Sequence, residues 1–265
     1  MHFKGGTSLL KGFCLVKRFS EDLDLKLDAP FLPIIEDNIW KRTDEKSQAR
    51  RRLFFDEVLQ QQLAEPLKWR ELPEFNDQKL RNLGIRVDYP HTVALTSPLM
   101  RDYVLLEVGR ARVTPYVDCE VSSWIHDEME AAGEAVTRPT VRCVHPLVTL
   151  LEKSSALQSR AARDDVHPER YVRHFEDAVH ILRAWDAGKL PAVVGFDTPK
   201  ALAAELVRTK DTGQLDPSHA AFAPAGERRQ RQVEAMVQLD SYFWGERVQL
   251  DQACEELRLW LHRNL

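Results

Sequence analysis

A chain of 265 residues, 43% hydrophobic and 29% charged, is long enough to bury a core in one large or two modest domains, and no apolar run approaches the length of a membrane span. The formal net charge of −4 excludes a general electrostatic pull on nucleic acid. Cys14, Cys119, Cys143 and Cys254 are scattered with no C-x-x-C pair, which excludes a disulfide frame or a zinc cluster and suits reduced thiols in a cytoplasmic protein.

The first element carries the most chemistry. Gly5-Gly6 followed by Thr7 and Ser8 offers backbone N–H groups and hydroxyls at a helix start, where an anion is stabilised. A short helix is expected from Thr7 to Val16. Arg18 and Phe19 then turn the chain into a strand in which Leu23, Leu25 and Leu27 alternate with polar residues. On such a strand Asp22 and Asp24 project from one face, close enough to share a divalent cation, and Ser20 faces the same side. Pro30 and Pro33 are expected to close it. An amphipathic helix is expected over Asp44 to Gln62, then a loop bracketed by Pro66 and Pro73. Strands follow over Arg86 to Leu95, Tyr103 to Val108 and Arg112 to Val121, with Glu107 interrupting the apolar run of the second.

From Val144 the pattern is helical. Leu147, Leu150, Leu151 and Leu157 form a stripe with Lys153 off to its side. After a charged connection, Pro168 opens a helix over Glu169 to Trp185 whose buried face is Tyr171, Phe175, Val179 and Leu182. A helix begins at Thr198-Pro199, a loop covers Thr212 to Gly226, and Glu227 to Asp240 and Leu250 to Leu265 close the chain. These patterns place an α/β lobe at 1–135 and a helical lobe at 136–265. Basic clusters at Lys41-Arg42, Arg50 to Arg52, Arg160 to Arg173 and Arg228 to Arg231 read either as exposed helix faces or as local RNA contacts.

A phosphate cradle beside paired carboxylates suits nucleotidyl transfer: one part holds a triphosphate and the other neutralises the charge developing on it. The run Lys4-Gly5-Gly6-Thr7-Ser8-Leu9 with Arg18-Phe19-Ser20-Glu21-Asp22-Leu23-Asp24-Leu25 resembles the AbiEii/AbiGii-type toxins, nucleotidyltransferases of the polymerase-beta superfamily. A second segment is similar to that family's helical stretch: Pro146, Leu150, Glu152-Lys153, Leu157, Arg160, Arg163-Asp164 and His174-Phe175-Glu176-Asp177. The resemblance implies an α+β fold, a polymerase-beta-like mixed sheet with helices followed by a helical C-terminal lobe. The family carries helices and a strand ahead of the first motif. Here Met1-His2-Phe3 precede it, so either the start is placed late or the N-terminal elements are shortened, with His2-Phe3 as a remnant of the strand.

The resemblance also implies a site. Asp22, Asp24, Lys153 and Asp177 would be catalytic, and Gly5, Gly6, Thr7, Ser8, Ser20 and Lys153 would bind nucleotide. Asp22, Asp24 and Glu107 would hold Mg²⁺, although Glu107 reads equally as a surface glutamate. Lys153 would meet the triphosphate as a point charge, with Arg160 and Arg163 as weaker phosphate or acceptor contacts. Asp177 would orient Lys153 or act on the nucleophile, with Arg173 as its i,i+4 partner, although Ala178-Val179 follow it where the family has Leu-Tyr. His174 and His180 read as packing or hydrogen-bonding residues. The implied activity is Mg²⁺-dependent transfer of NMP from an NTP, with pyrophosphate release, by the cytoplasmic toxin of a toxin–antitoxin pair. The implied acceptor is the 3′ end of tRNA. A protein hydroxyl, a small molecule such as an aminoglycoside, or a catalytically silent nucleotide-binding module are the alternatives. No membrane partner is expected.

Overall fold

The alternation over the two aspartates forms the central strand of the molecule, β2 (Asp22–Leu27), in a computed structural model that describes residues 1–20, 22–27, 39–40, 42–62, 68–90, 101–161, 163 and 165–265. The remaining strands are β1 (His2–Lys4), β3 (Lys68–Glu71), β4 (Asn82–Asp88), β5 (Val104–Arg110), β6 (Tyr116–Glu120) and β7 (Thr140–Val144). They form a seven-stranded mixed sheet in the order β3-β4-β5-β2-β1-β7-β6. β2 runs parallel to β5 and antiparallel to β1, and β1 runs parallel to β7. The strand remnant at the start of the chain is thus an interior strand of the sheet.

Helices follow in the order α1 (Gly5–Thr7), α2 (Glu45–Gln62), α3 (Trp124–Ala131), α4 (Pro146–Ala161), α5 (Arg173–Asp186), α6 (Pro199–Arg208), α7 (Gly226–Gln238) and α8 (Leu250–Asn264). The fold is α+β, and the residues that give β2 its two faces decide how it is used. Leu23, Leu25 and Leu27 pack with Phe54 and Phe55 of α2, Ile85 of β4 and Leu106 and Val108 of β5. Phe54 and Phe55 are each worth about 1.5–3 kcal/mol on burial, enough to hold the Asp22/Asp24 face turned the other way. A second core joins α4, α5 and α8 through Leu147, Leu150, Leu151, Phe175, Ile181, Leu257 and Trp260, all buried. The stripes expected on α4 and α5 are the faces that pack.

Several local expectations change. The helix expected from Thr7 starts at Gly5 and widens over Ser8–Gly12, where Phe13 N–H donates to Ser8 O at 3.1 Å. The loop expected between Pro66 and Pro73 contains β3: Lys-Trp-Arg-Glu is a short charged edge strand, a type that shows no apolar run. Helix α3 went unread. Ser123 caps it, its hydroxyl accepting from His126 N–H at 3.3 Å, but it buries no residue and so has no apolar face to reveal it. The helix opened by Pro168 is a single turn at Pro168–Arg170 before α5 starts at Arg173. Strand β7 lies beyond residue 135 and yet pairs between β1 and β6. Glu21, Pro30, Pro33, Pro66, Asp164 and the stretch 91–95 lie outside the described residues. Among the described residues no helix is long and apolar enough to cross a membrane.

Candidate active site

Gly5 brings its main chain against the carboxylate of Asp24. Its φ is +64°, and a Cβ there would lie 2.3 Å from Asp24 Oδ2, so both conformation and space require glycine. A Cβ on Gly6 would meet Arg18 Nη2 at 2.7 Å and Ser20 Oγ at 3.0 Å. The two hydroxyls that follow turn inward. Thr7 Oγ1 donates to the main-chain oxygen of Asp22 at 2.6 Å, and Ser8 Oγ donates to Gly5 O at 3.0 Å. Both side chains are buried and outside the cavity described below. Ser20 Oγ lies 3.2 Å from both the main-chain oxygen and Oδ1 of Asp22. Thr7 and Ser20 therefore brace the turn against β2 and Ser8 closes the turn on itself, while Gly5 faces the open space.

That space is a cavity of about 860 Å³ whose walls include Gly5, Asp22, Asp24, Glu107 and Lys153. Glu107 stands opposite Asp24 on the parallel neighbour β5, so three carboxylates share one wall. Burial and the negative charges of Asp24 and Asp22 push the Glu107 carboxyl above the usual range. A face that holds like charges together is one a bound cation stabilises. Lys26 lies 3.3 Å from Asp24 Oδ1. Among the described residues no three His, Cys, Asp or Glu side chains are drawn together closely enough to cage a metal by themselves. Asp22 and Asp24 supply the one or two carboxylates that Mg²⁺ commonly takes, its shell being completed by water and substrate phosphate.

The helical wall carries most of the cations, with Glu152 and Glu169 among them. Lys153 and Arg160 come from α4, Arg170 from the preceding turn and Arg173 from the start of α5. Lys4, at the end of β1, pairs with Glu152 at 2.7 Å. Lys153 Nζ lies 2.8 Å from Asp177 and 3.2 Å from His174 Nδ1, and Arg160 Nη1 lies 3.3 Å from His174 Nε2. Burial and the positive charge of Lys153 hold the His174 imidazole well below its ordinary pKa, in the neutral form that can accept a hydrogen bond. His174 thus supports the basic wall. His180 is likewise lowered, chiefly by burial.

Asp177 occupies a different place from the one its motif suggests. It is fully buried and does not line the cavity. Its two oxygens accept from Arg18 Nε at 2.8 Å and Nη2 at 2.7 Å, and from Lys153. Where an i,i+4 pairing with Arg173 was expected, the carboxylate meets Arg18 and Lys153. Burial alone would raise this carboxyl, but the adjacent positive charges outweigh it and hold Asp177 well below the usual range. Arg163 is exposed and pairs with Asp165. Residues without an expected site role include Lys4, Lys26 and Arg101 at the cavity wall, and Arg18, whose partner is 159 positions away. Lys4 and Arg18 flank the Gly-Gly and Asp-x-Asp motifs, which was the available signal.

The geometry therefore sets three carboxylates on the sheet, with Lys4 and Lys26 beside them, and most of the other cations on the helices, around one open space. The family model described as nucleotidyl transferase AbiEii toxin, type IV toxin–antitoxin system, matches residues 1–242. No curated protein matches the chain.

Proposed function

The chain belongs to the AbiEii nucleotidyl transferase toxin family of type IV toxin–antitoxin systems, and on that premise we propose that it transfers a nucleoside monophosphate from a magnesium-bound NTP to the 3′ end of an RNA, with tRNA as the acceptor. The observation that carries this reading is the single cavity in which Asp22, Asp24 and Glu107 face Lys153.

Such a transfer is driven by positioning and charge neutralisation. Asp22 and Asp24 are the donors for Mg²⁺, with Glu107 beside them as the third carboxylate. Bound there, Mg²⁺ would supply charge neutralisation at the α-phosphate and a lowered pKa for the acceptor hydroxyl. Gly5 brings its main chain to the phosphates, with Gly6 buried behind it against Arg18 and Ser20, and with Thr7 and Ser20 holding that turn to β2. Lys153 has three N–H donors: one meets Asp177, one His174, and the third is left for the triphosphate. Asp177 is a positioning residue that keeps the ammonium aimed and charged. Arg160 and Arg173 extend the cationic wall toward the released pyrophosphate. The protein works in the cytoplasm, where NTPs and tRNA are found, with a cognate antitoxin to offset its effect.

The test is incubation with each α-labelled NTP, Mg²⁺ and total tRNA, comparing wild type with Asp22→Asn. Label on tRNA that requires Asp22 is expected. Label found on protein alone would replace the acceptor, and equal labelling by Asp22→Asn would remove the metal-site assignment.

A further inference from the structure

Transfer to an acceptor needs a second binding place, and a second cavity adjoins the first. It measures about 360 Å³, and its wall includes Phe19, Tyr89, Tyr103 and Tyr242 together with Asp22 and Arg101. Its position along β2 is informative. The larger cavity touches Asp22, Asp24 and Lys26, whereas the smaller one touches Ser20, Asp22 and Leu23, so the two follow each other along the strand with Asp22 as their boundary. Gly5, Lys153 and Arg160, the groups proposed to meet the phosphates, all belong to the larger cavity. In an in-line displacement the attacking and leaving oxygens lie on opposite sides of the reacting phosphorus. With pyrophosphate leaving toward Lys153, the attacking hydroxyl must arrive from the Asp22 end, where the rings are.

We propose that this aromatic pocket is the acceptor subsite and grips the terminal nucleobase of a single-stranded RNA, which reaches it across the exposed Trp124 and Trp244 rings. The inference rests on the nucleotidyl-transfer reading of the larger cavity. Phe19 links pocket to surface: its ring lies 5.3 Å from Trp124 and 5.3 Å from Trp244, and those two lie 5.3 Å from each other. Trp124 is 53% and Trp244 43% exposed, unusual for rings of that size unless something covers them. Lys11 sits 5.6 Å from the Trp124 centroid. Aromatic platforms with cations beside them are how single strands are held without sequence readout. Inside the pocket Tyr103 is already oriented, because Arg86, which is not part of the wall, packs over its ring at 4.4 Å. Among the described wall residues Asp22 is the acid and Arg101 the cation, and the four rings suit a planar uncharged base. A duplex end keeps its bases stacked and cannot offer one.

The test titrates the full chain with a labelled single-stranded oligoribonucleotide of about eight nucleotides, read by fluorescence anisotropy. Trp124→Ala, Trp244→Ala and Tyr103→Leu are each expected to raise Kd about tenfold. Tyr103→Phe should bind like wild type, and a duplex of the same sequence should bind more weakly. Trp124 and Trp244 are exposed, so their variants report on binding without a folding defect. No binding by wild type, or a Kd unchanged across all three variants, overturns the proposal. In the same preparations NMP transfer to total tRNA is compared with Asp22→Asn. Transfer that survives in Asp22→Asn overturns the active-site reading on which the pocket assignment rests. Transfer lost there, with oligonucleotide binding indifferent to the rings, overturns the acceptor pocket alone.

Discussion

Arg18 and Asp177, 159 positions apart, meet in a two-pronged ion pair at 2.8 and 2.7 Å that ties the segment leading into β2 to the N-terminal half of α5. Lys153 completes the cluster from α4 at 2.8 Å. One carboxylate thus joins the Asp-x-Asp strand to the helices that carry the cationic wall, which makes it the joint on which the geometry of the cavity depends.

Asp177→Asn should therefore destabilise the protein by about 3–5 kcal/mol at neutral pH, because buried Arg18 and Lys153 both lose the negative charge of Asp177. The pH dependence has a definite sign. The Asp177 carboxyl is held below its unfolded value, so its contribution is fully present above the ordinary aspartate pKa of about 3.9 and is lost as pH falls from there. Urea unfolding of wild type and variant should show the gap narrowing between about pH 4 and lower values and staying constant from pH 5 to 7. A gap that widened on acidification would contradict the assignment.

Gly5→Ala should abolish activity and lower stability. An alanine at φ +64° costs about 1–2 kcal/mol of backbone strain, and its Cβ would lie 2.3 Å from Asp24 Oδ2. Thermal melting and NMP transfer on the same sample check it. Full activity in Gly5→Ala would mean that the approach of this turn to Asp24 has no role.

Mg²⁺ should raise the melting temperature of wild type, as any ligand that prefers the folded state does. Asp24→Asn should erase that gain and reduce transfer by about a hundredfold or more, since even outer-shell partners of a metal are worth 10–100-fold. Glu107→Gln, which relieves crowding among three carboxylates, should melt higher than wild type without Mg²⁺ and gain less when it is added. Equal Mg²⁺-induced shifts in all three proteins would contradict the three-carboxylate wall.

Arg160→Ala should raise the KM for NTP about tenfold, the scale of one charge-assisted hydrogen bond, and leave the fold intact because the side chain is exposed. Initial rates at several NTP concentrations, with melting as a control, distinguish this from a structural effect. An unchanged KM would place the phosphates elsewhere.

How far the sequence could be read depended on the range of the interaction. Asp22 and Asp24 were legible because a strand's period of two sets them on one face, and the leucines between them supply the opposite, buried one. The apolar stripes of α4 and α5 were legible for the same local reason. Strand β3 was not, since Lys68, Trp69, Arg70 and Glu71 alternate along an edge without an apolar run. The inward turn of the Thr7 and Ser8 hydroxyls depends on Asp22 and Gly5 carbonyls placed only by folding. Resemblance pointed to Lys153 and Asp177, but the difference between them, one at the cavity and one beneath it, follows from Arg18, a contact no local pattern encodes.

The most direct measurement is calorimetric titration of the full chain with an α,β-methylene NTP analogue, with and without Mg²⁺, for wild type and for Asp22→Asn/Asp24→Asn. Magnesium-dependent binding by wild type that is lost in the double variant is the predicted result. Binding of equal strength in both proteins, or indifference to Mg²⁺, would contradict a metal–triphosphate site built on these two aspartates.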